Sequence, residues 1–430
     1  GRRGRRECPQ RSAPTRTVVV DLKDSPDDAN PGHFRTTFRL ELVRAACLGT
    51  IETILATFAI LIAVNRFESG PAVKALIIAA PALGLLGSLV VVPLAVRNGL
   101  SAGRASGTIS LISCVGFAIA AAGAETESIF VTGVTLGIGI LAMAMPLQTH
   151  YIRRNYPNAK RGRLFSITVF VRAVTSMIVS WGFGVYLNAD FNRFPDLLWV
   201  VSGAAAIAAV CQFLVPEVPL RASAEKRHPF LESVHVTRHD KVFIRLLIAT
   251  MVLGIGVLSS AALRVDYLAN PVHGLQFDVK TISLITGIIP SLTRLLSTFF
   301  WGWLFDHVSF FRLRNIVNSI FIVATLLYFL PNQMLPLLIG SGLFGLARGG
   351  GEIMFSLWVT KLAPAEKIAD YMSVHTFCAG LRALSAPFIG FYLVQWANVS
   401  ALVALTCSLA LVAIFLVQSG SRLFQERERS

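Results

Sequence analysis

Charge is what this sequence has least of. Only 15% of its 430 residues are Asp, Glu, Lys or Arg, where a soluble domain carries about 25%. So few charges cannot cover the surface of a water-soluble molecule of this length, which excludes a cytosolic enzyme. Carboxylates are the scarcer sign: 24 Asp and Glu stand against 39 Lys and Arg, a net charge of +15. None of the six cysteines forms a C-x-x-C pair, and all but Cys8 fall in apolar runs, so neither a disulfide framework nor a thiolate metal site is readable. The phosphate loop G-x-x-x-x-G-K-[ST] is missing, and with it a visible ATP site. The alternation of polar and apolar residues that a membrane barrel needs is missing too.

What is abundant is apolar residues, 54% of the chain, with a mean hydropathy of +0.63. They lie in long runs near 42–65, 72–96, 105–124, 129–150, 164–188, 197–215, 242–265, 281–304, 315–331, 335–360, 371–396 and 398–417. A helix crosses a bilayer with about 20 such residues. The fold class expected is an all-α membrane protein with 12 transmembrane helices. Residues 1–38, from Gly1-Arg-Arg-Gly-Arg-Arg6 onward, are polar and basic. No apolar stretch follows the arginines as in a signal peptide, so a disordered tail is expected.

With helices alternating across the bilayer, the segments on the side of the termini hold 28 Lys and Arg, and 19 without those before residue 42. The opposite side holds four: Arg66, Lys74, Arg193 and Lys280. The positive-inside rule then puts both termini in the cytoplasm. It also accounts for the basic balance without nucleic acid. The longest connection, residues 216–241, splits the chain into halves at 39–215 and 242–417, with a short tail at 418–430. Those halves echo each other at an offset of about 206–209. Ala80-Pro-Ala-Leu83 answers to Ile289-Pro-Ser-Leu292, and Gly184-Val-Tyr-Leu187 to Gly390-Phe-Tyr-Leu393. A shared offset across several matches points to a duplicated six-helix unit.

Twelve helices in two six-helix halves with a basic central linker resemble the major facilitator superfamily of transporters. The loop after the eighth run, Gly302-Trp-Leu-Phe-Asp306-His307…Arg312-Leu-Arg314, is similar to the family's G-x-L-x-D-R/K-x-G-R/K-R/K. It departs by having His307 in place of a basic residue and by its late arginines; the loop after the second run lacks the aspartate. The resemblance implies a conformational clamp at Gly302, Asp306, Arg312 and Arg314. An aspartate at a helix end accepts hydrogen bonds from a neighbouring helix or an arginine in one state only.

Ionisable groups away from the ends of the runs are costly in hydrocarbon, so each is a functional candidate. They are Glu52, Arg172, Arg294, Arg348, Glu352 and Arg382, with Arg264 and Asp266 at the far end of the seventh run. The third, sixth, ninth and twelfth runs have none in their interiors. The resemblance implies that those four helices face lipid and the others line a cavity. Two carboxylates against four arginines favour a polar or anionic substrate held by guanidinium groups. Glu52 and Glu352 are candidates to carry a coupling proton. Arg348 and Glu352 share a helix face at i,i+4. They lie within a glycine-rich stretch that either loosens the helix to form a site or allows close packing. Arg172 and Arg382 lie nearer the cytoplasmic side, where they snorkel or gate. His150, His307 and His375 show no metal-ligand spacing, so no metal or cofactor is expected.

The function expected is secondary active transport by alternating access of a small polar or anionic organic solute, proton-coupled or exchanging. Efflux of amphipathic drug-like compounds and a non-transporting membrane sensor are the alternatives. No enzyme is expected, since no catalytic constellation gathers at one depth. The lipid bilayer, the solute and protons are the expected partners of a monomer in a bacterial inner (plasma) membrane.

Overall fold

The computed structural model describes residues 31–218, 220, 230–364 and 367–429, and within them the chain is helical with no strand. Lipid offers the backbone no hydrogen bonds, so each crossing segment must satisfy its own N–H and C=O groups. Twelve long helices do so. α1 runs through Pro31–Thr53, a π-helical turn Ile54–Phe58 and Ala59–Asn65; α2 is Pro71–Arg97, α3 Ala102–Ala122 and α4 Glu127–Met143 with Met145–Asn155. α5 is Asn158–Ala189, α6 Phe194–Phe213 and α7 Lys241–Ala269. α8 joins Val279–Ser283, a second π-helical turn Leu284–Ile288 and Ile289–His307. α9 is Phe310–Phe329, α10 Met334–Leu362, α11 Ile368–Trp396 and α12 Val399–Arg429.

Eleven of these helical segments are long and apolar enough to cross a membrane. The other, α10, is diluted by Arg348 and its glycines. Several starts are written locally. Asp240 accepts hydrogen bonds from the Val242 and Phe243 amides at α7, and Ser101 from the Arg104 amide at α3, capping N–H groups that lack a helical partner.

Four departures from the sequence reading concern ends and connections. α1 begins at Pro31, inside the stretch read as a tail; residues 1–30 lie outside the described residues. The linker contains a short helix, Phe230–Thr237, where only a polar connection was read. Its Ser233 donates to Asp370 of α11 at 2.7 Å. α12 continues through the segment read as a C-terminal tail. α4 breaks at Ala144, ahead of Pro146, whose ring cannot sit in a helix interior without losing a hydrogen bond.

The pairing of helices repeats. α1 packs on α5 and α6, α3 on α4 and α6, and α2 on α4; likewise α7 packs on α11 and α12, α9 on α10 and α12, and α8 on α10. The two sets meet along α1–α7, α2–α11 and α5–α8. Polar contacts between described residues cross this boundary on the side away from the termini. Ser180 of α5 meets Ser283 of α8, hydroxyl to hydroxyl at 2.9 Å, and the Lys280 amide donates to Asn188 at 3.4 Å. The approach is close enough that a methyl group at Gly287 would lie 2.3 Å from the Ser180 hydroxyl.

Candidate functional site: a charge chain between the halves

Both π-helical turns lie at the boundary and face each other, with the Thr57 and Thr286 hydroxyls 2.9 Å apart. Such turns are uncommon and concentrate at functional sites. Glu52 stands one residue before the Thr53 cap of the first turn, pointing across the boundary toward α8.

There it joins a chain of alternating charge. Arg172 Nε of α5 lies 3.0 Å from Glu52 Oε2. Arg294 of α8 approaches Glu52 Oε1 to 3.9 Å with one Nη and donates to Glu352 Oε1 at 3.2 Å with the other. Arg348 Nε, one turn before Glu352 on α10, donates to the same Oε1 at 3.0 Å. The order is Arg172–Glu52–Arg294–Glu352–Arg348, three cations and two carboxylates, with two helices from each half. The Arg294 side chain is 13% exposed and that of Arg348 63%. The chain therefore has a desolvated centre and a solvated end. Coulomb attraction weakens as water enters, so the Arg348 end is the looser one.

The glycines of α10 explain how its charges come so close to α8. A methyl group at Gly345 would fall 2.2 Å from the Pro290 carbonyl, and at Gly350 2.8 Å from the Trp301 ring. Trp301 then donates its indole N–H to the Leu346 carbonyl at 2.8 Å. α10 is continuous here, so the glycines serve close packing and the helix is not loosened.

Arg382 does not join the chain. Its guanidinium turns into the C-terminal half and donates to the Thr250 carbonyl of α7 at 2.7 Å, against Gly254. Of the clamp residues, Asp306 and Arg312 are exposed, and Gly302 has open space beside it. Arg314 is buried at 8% exposure inside the C-terminal half. Of the histidines, His307 stacks on Trp303, while His150 and His375 are buried. Among the described residues, no group of three or more His, Cys, Asp or Glu could hold a metal ion.

Three polar clusters went unread in the sequence. Lys74, counted there as a loop charge, is buried in the first turn of α2 with its Nζ 2.6 Å from Asp266 Oδ1 of α7. His273 Nε2 lies 3.2 Å from the other Asp266 oxygen. In the N-terminal half, Arg44 makes a two-pronged bond to Glu41 at 2.7 and 2.6 Å, and the Tyr151 hydroxyl donates to Glu41 at 2.6 Å. The i,i+3 spacing of Glu41 and Arg44 was visible but lay at the edge of the first apolar run. Arg264 donates to Ser341 at 2.9 Å and lies over the Tyr328 and Phe344 rings.

Comparison with known families decides the classification. The model described as Major Facilitator Superfamily matches residues 42–381. The chain belongs to the major facilitator superfamily. Solved structures of the same fold include the nucleoside transporter NupG, with 13% identity, TM-score 0.71, and coverage of 91% of this chain and 99% of that one. An inward-facing, occupied bacterial homolog of the human lysosomal transporter Spinster has 15% identity and TM-score 0.67, covering 91% and 98%. A peptide transporter, POT, in complex with sulfate has 14% identity and TM-score 0.68, covering 92% and 95%. No curated protein matches the sequence significantly. These identities establish the fold that this superfamily member shares with transporters. It is an integral, multi-pass membrane transporter.

Proposed function

We propose that this superfamily member is a secondary active transporter for a small polar or anionic organic solute, worked by alternating access. The charge chain carries the reading. It spans the boundary of the two halves, has one more cation than carboxylate, and is loosest where it meets solvent at Arg348. An anionic group entering from that end competes with Glu352 for the Arg294 and Arg348 forks, whose geometry suits carboxylate or phosphate. A displaced Glu352 is then free to take a proton, so the same residues support proton coupling or anion exchange.

The halves are taken as residues 39–215 and 242–417, with the termini and linker on the cytoplasmic side by the charge imbalance. Contacts on the far side then make this conformation closed to the outside. A monomer in a bacterial plasma membrane is the setting. Asp306 and Arg312 act as a clamp that engages when the cytoplasmic ends come together.

Proteoliposomes loaded with a pH-sensitive dye and exposed to metabolite carboxylates, phosphate esters and neutral amphipathic drugs test the reading. Uptake of at least one anion that falls at least tenfold in Arg294→Lys supports it. Transport of neutral drugs alone, indifferent to that substitution, overturns it.

A further inference from the structure

The π-helical turn of α8 leaves one carbonyl without a partner in its own helix. The Ile289 amide closes the turn on the Leu284 carbonyl. The same spacing directs the Ile285 carbonyl to residue 290, which is Pro290 and has no N–H to give. A backbone carbonyl left unpaired away from water is costly. The turn of α1 has no such gap: the Ala59 amide closes it on Ile54, and the Leu55 carbonyl looks to Ile60, which carries an N–H. In α8 two side chains from neighbouring helices fill the gap. Arg264 of α7 donates through one Nη to the Ile285 carbonyl at 3.2 Å, and the Ser341 hydroxyl of α10 donates to the same oxygen. That Nη also donates to Ser341 at 2.9 Å, so the three groups close a triangle. The Tyr328 and Phe344 rings wall the guanidinium, with centroids 4.9 and 5.0 Å from its carbon. The Tyr328 hydroxyl donates to the backbone carbonyl of Arg264 at 3.0 Å. Among the described residues these partners are all neutral, so the charge is set against a carbonyl dipole and two ring faces.

We propose that Arg264 is a positioning residue that acts through Ile285, holding the π-helical turn of α8 in the shape that closes the far side of the transporter. The turn carries contacts that cross between the halves. Thr286, next to Ile285, meets Thr57, and Ser283, two residues before it, meets Ser180. Gly287 has no room for a methyl group beside the Ser180 hydroxyl. Without Arg264 the Ile285 carbonyl keeps only Ser341, and the turn is free to lose its extra residue. That loss rotates one part of α8 against the other by about 100°. Thr286 and Ser283 cannot then both face the N-terminal half. This role presupposes alternating access and is independent of the solute.

The full-length protein carrying Thr57→Cys is placed in proteoliposomes and labelled from the far side with a membrane-impermeant maleimide, the protein without that substitution serving as the blank. Arg264→Met should speed the labelling about fivefold or more, and Arg264→Lys, which keeps a charged donor, by less. The deciding variant is Pro290→Ala, which returns an amide N–H to the Ile285 carbonyl. Alone it should label as slowly as the parent, and in Arg264→Met/Pro290→Ala it should bring the rate back to within about twofold of the parent. An arginine needed only for folding would lower Tm with no such rescue. Should Arg264→Met fail to fold, Ser341→Ala removes the other donor; it should speed labelling by a smaller factor that Pro290→Ala also corrects. Equal labelling of the parent and Arg264→Met overturns the role, as does an acceleration that Pro290→Ala leaves uncorrected. If Lys74→Met speeds the labelling and Arg264→Met does not, only the role of Arg264 falls; if neither does, the closed far side falls with it.

Discussion

Lys74 Nζ lies 2.6 Å from Asp266 Oδ1, and both side chains are under a tenth exposed. The pair joins α2 of one half to α7 of the other, at the end away from the termini. Lys74 also lies over the Phe391 ring of α11 at 5.3 Å, and His273 and Asn270 meet the remaining edges of the carboxylate. A buried ion pair adds little net stability over an apolar pair, but removing one partner strands the other at about 3–5 kcal/mol. That asymmetry suits a bond made in one state and given up to water in the other.

Lys74→Met and Asp266→Asn are each expected to loosen the seal. A cysteine placed at Thr57 should then be labelled from the far side faster than in the parent, and the double variant Lys74→Met/Asp266→Leu should restore the slow rate. Equal labelling in all four proteins would show that the pair does not hold the halves.

In the charge chain, Arg348→Met/Glu352→Met is the informative pair. Arg294 keeps Glu52 in that variant, so the protein should fold normally and lose solute uptake. Normal uptake would move the site to Glu52, Arg172 and Arg294. Glu52→Gln should abolish gradient-driven uptake while leaving solute exchange, if Glu52 carries the proton; uptake and exchange assays in proteoliposomes separate the two.

Packing of α10 on α8 sets where those charges meet. Gly345→Ala should lower stability by about 1–3 kcal/mol through overpacking, because the added methyl meets the Pro290 backbone. Gly342→Ala, whose nearest neighbour is a Thr293 methyl at 3.6 Å, should be nearly neutral. Thermal unfolding of the two variants checks the difference.

Asp306 is exposed in this conformation, so Asp306→Asn should leave Tm unchanged. If the loop is a clamp, the variant should slow the transport cycle severalfold. Unaltered transport would leave it an ordinary connection.

Hydrophobic runs alone placed twelve helices, because lipid forbids unsatisfied backbone and so ties run length to a crossing. The charged residues were legible for the same reason: Glu52, Arg294 and Glu352 stand out in apolar sequence. Neither their partners nor the fate of Arg382 was. A run's length says where a helix crosses, but the direction each side chain takes depends on rotation, π-helical turns and close approach at Gly345 and Gly350. Lys74 looked like a loop charge because its partner Asp266 lies 192 residues away, on a helix of the other half. The linker helix and the extension of α12 were illegible for another reason: neither is a long apolar run, and contacts such as Ser233 with Asp370 and Phe424 with Phe311 tie them to neighbouring helices.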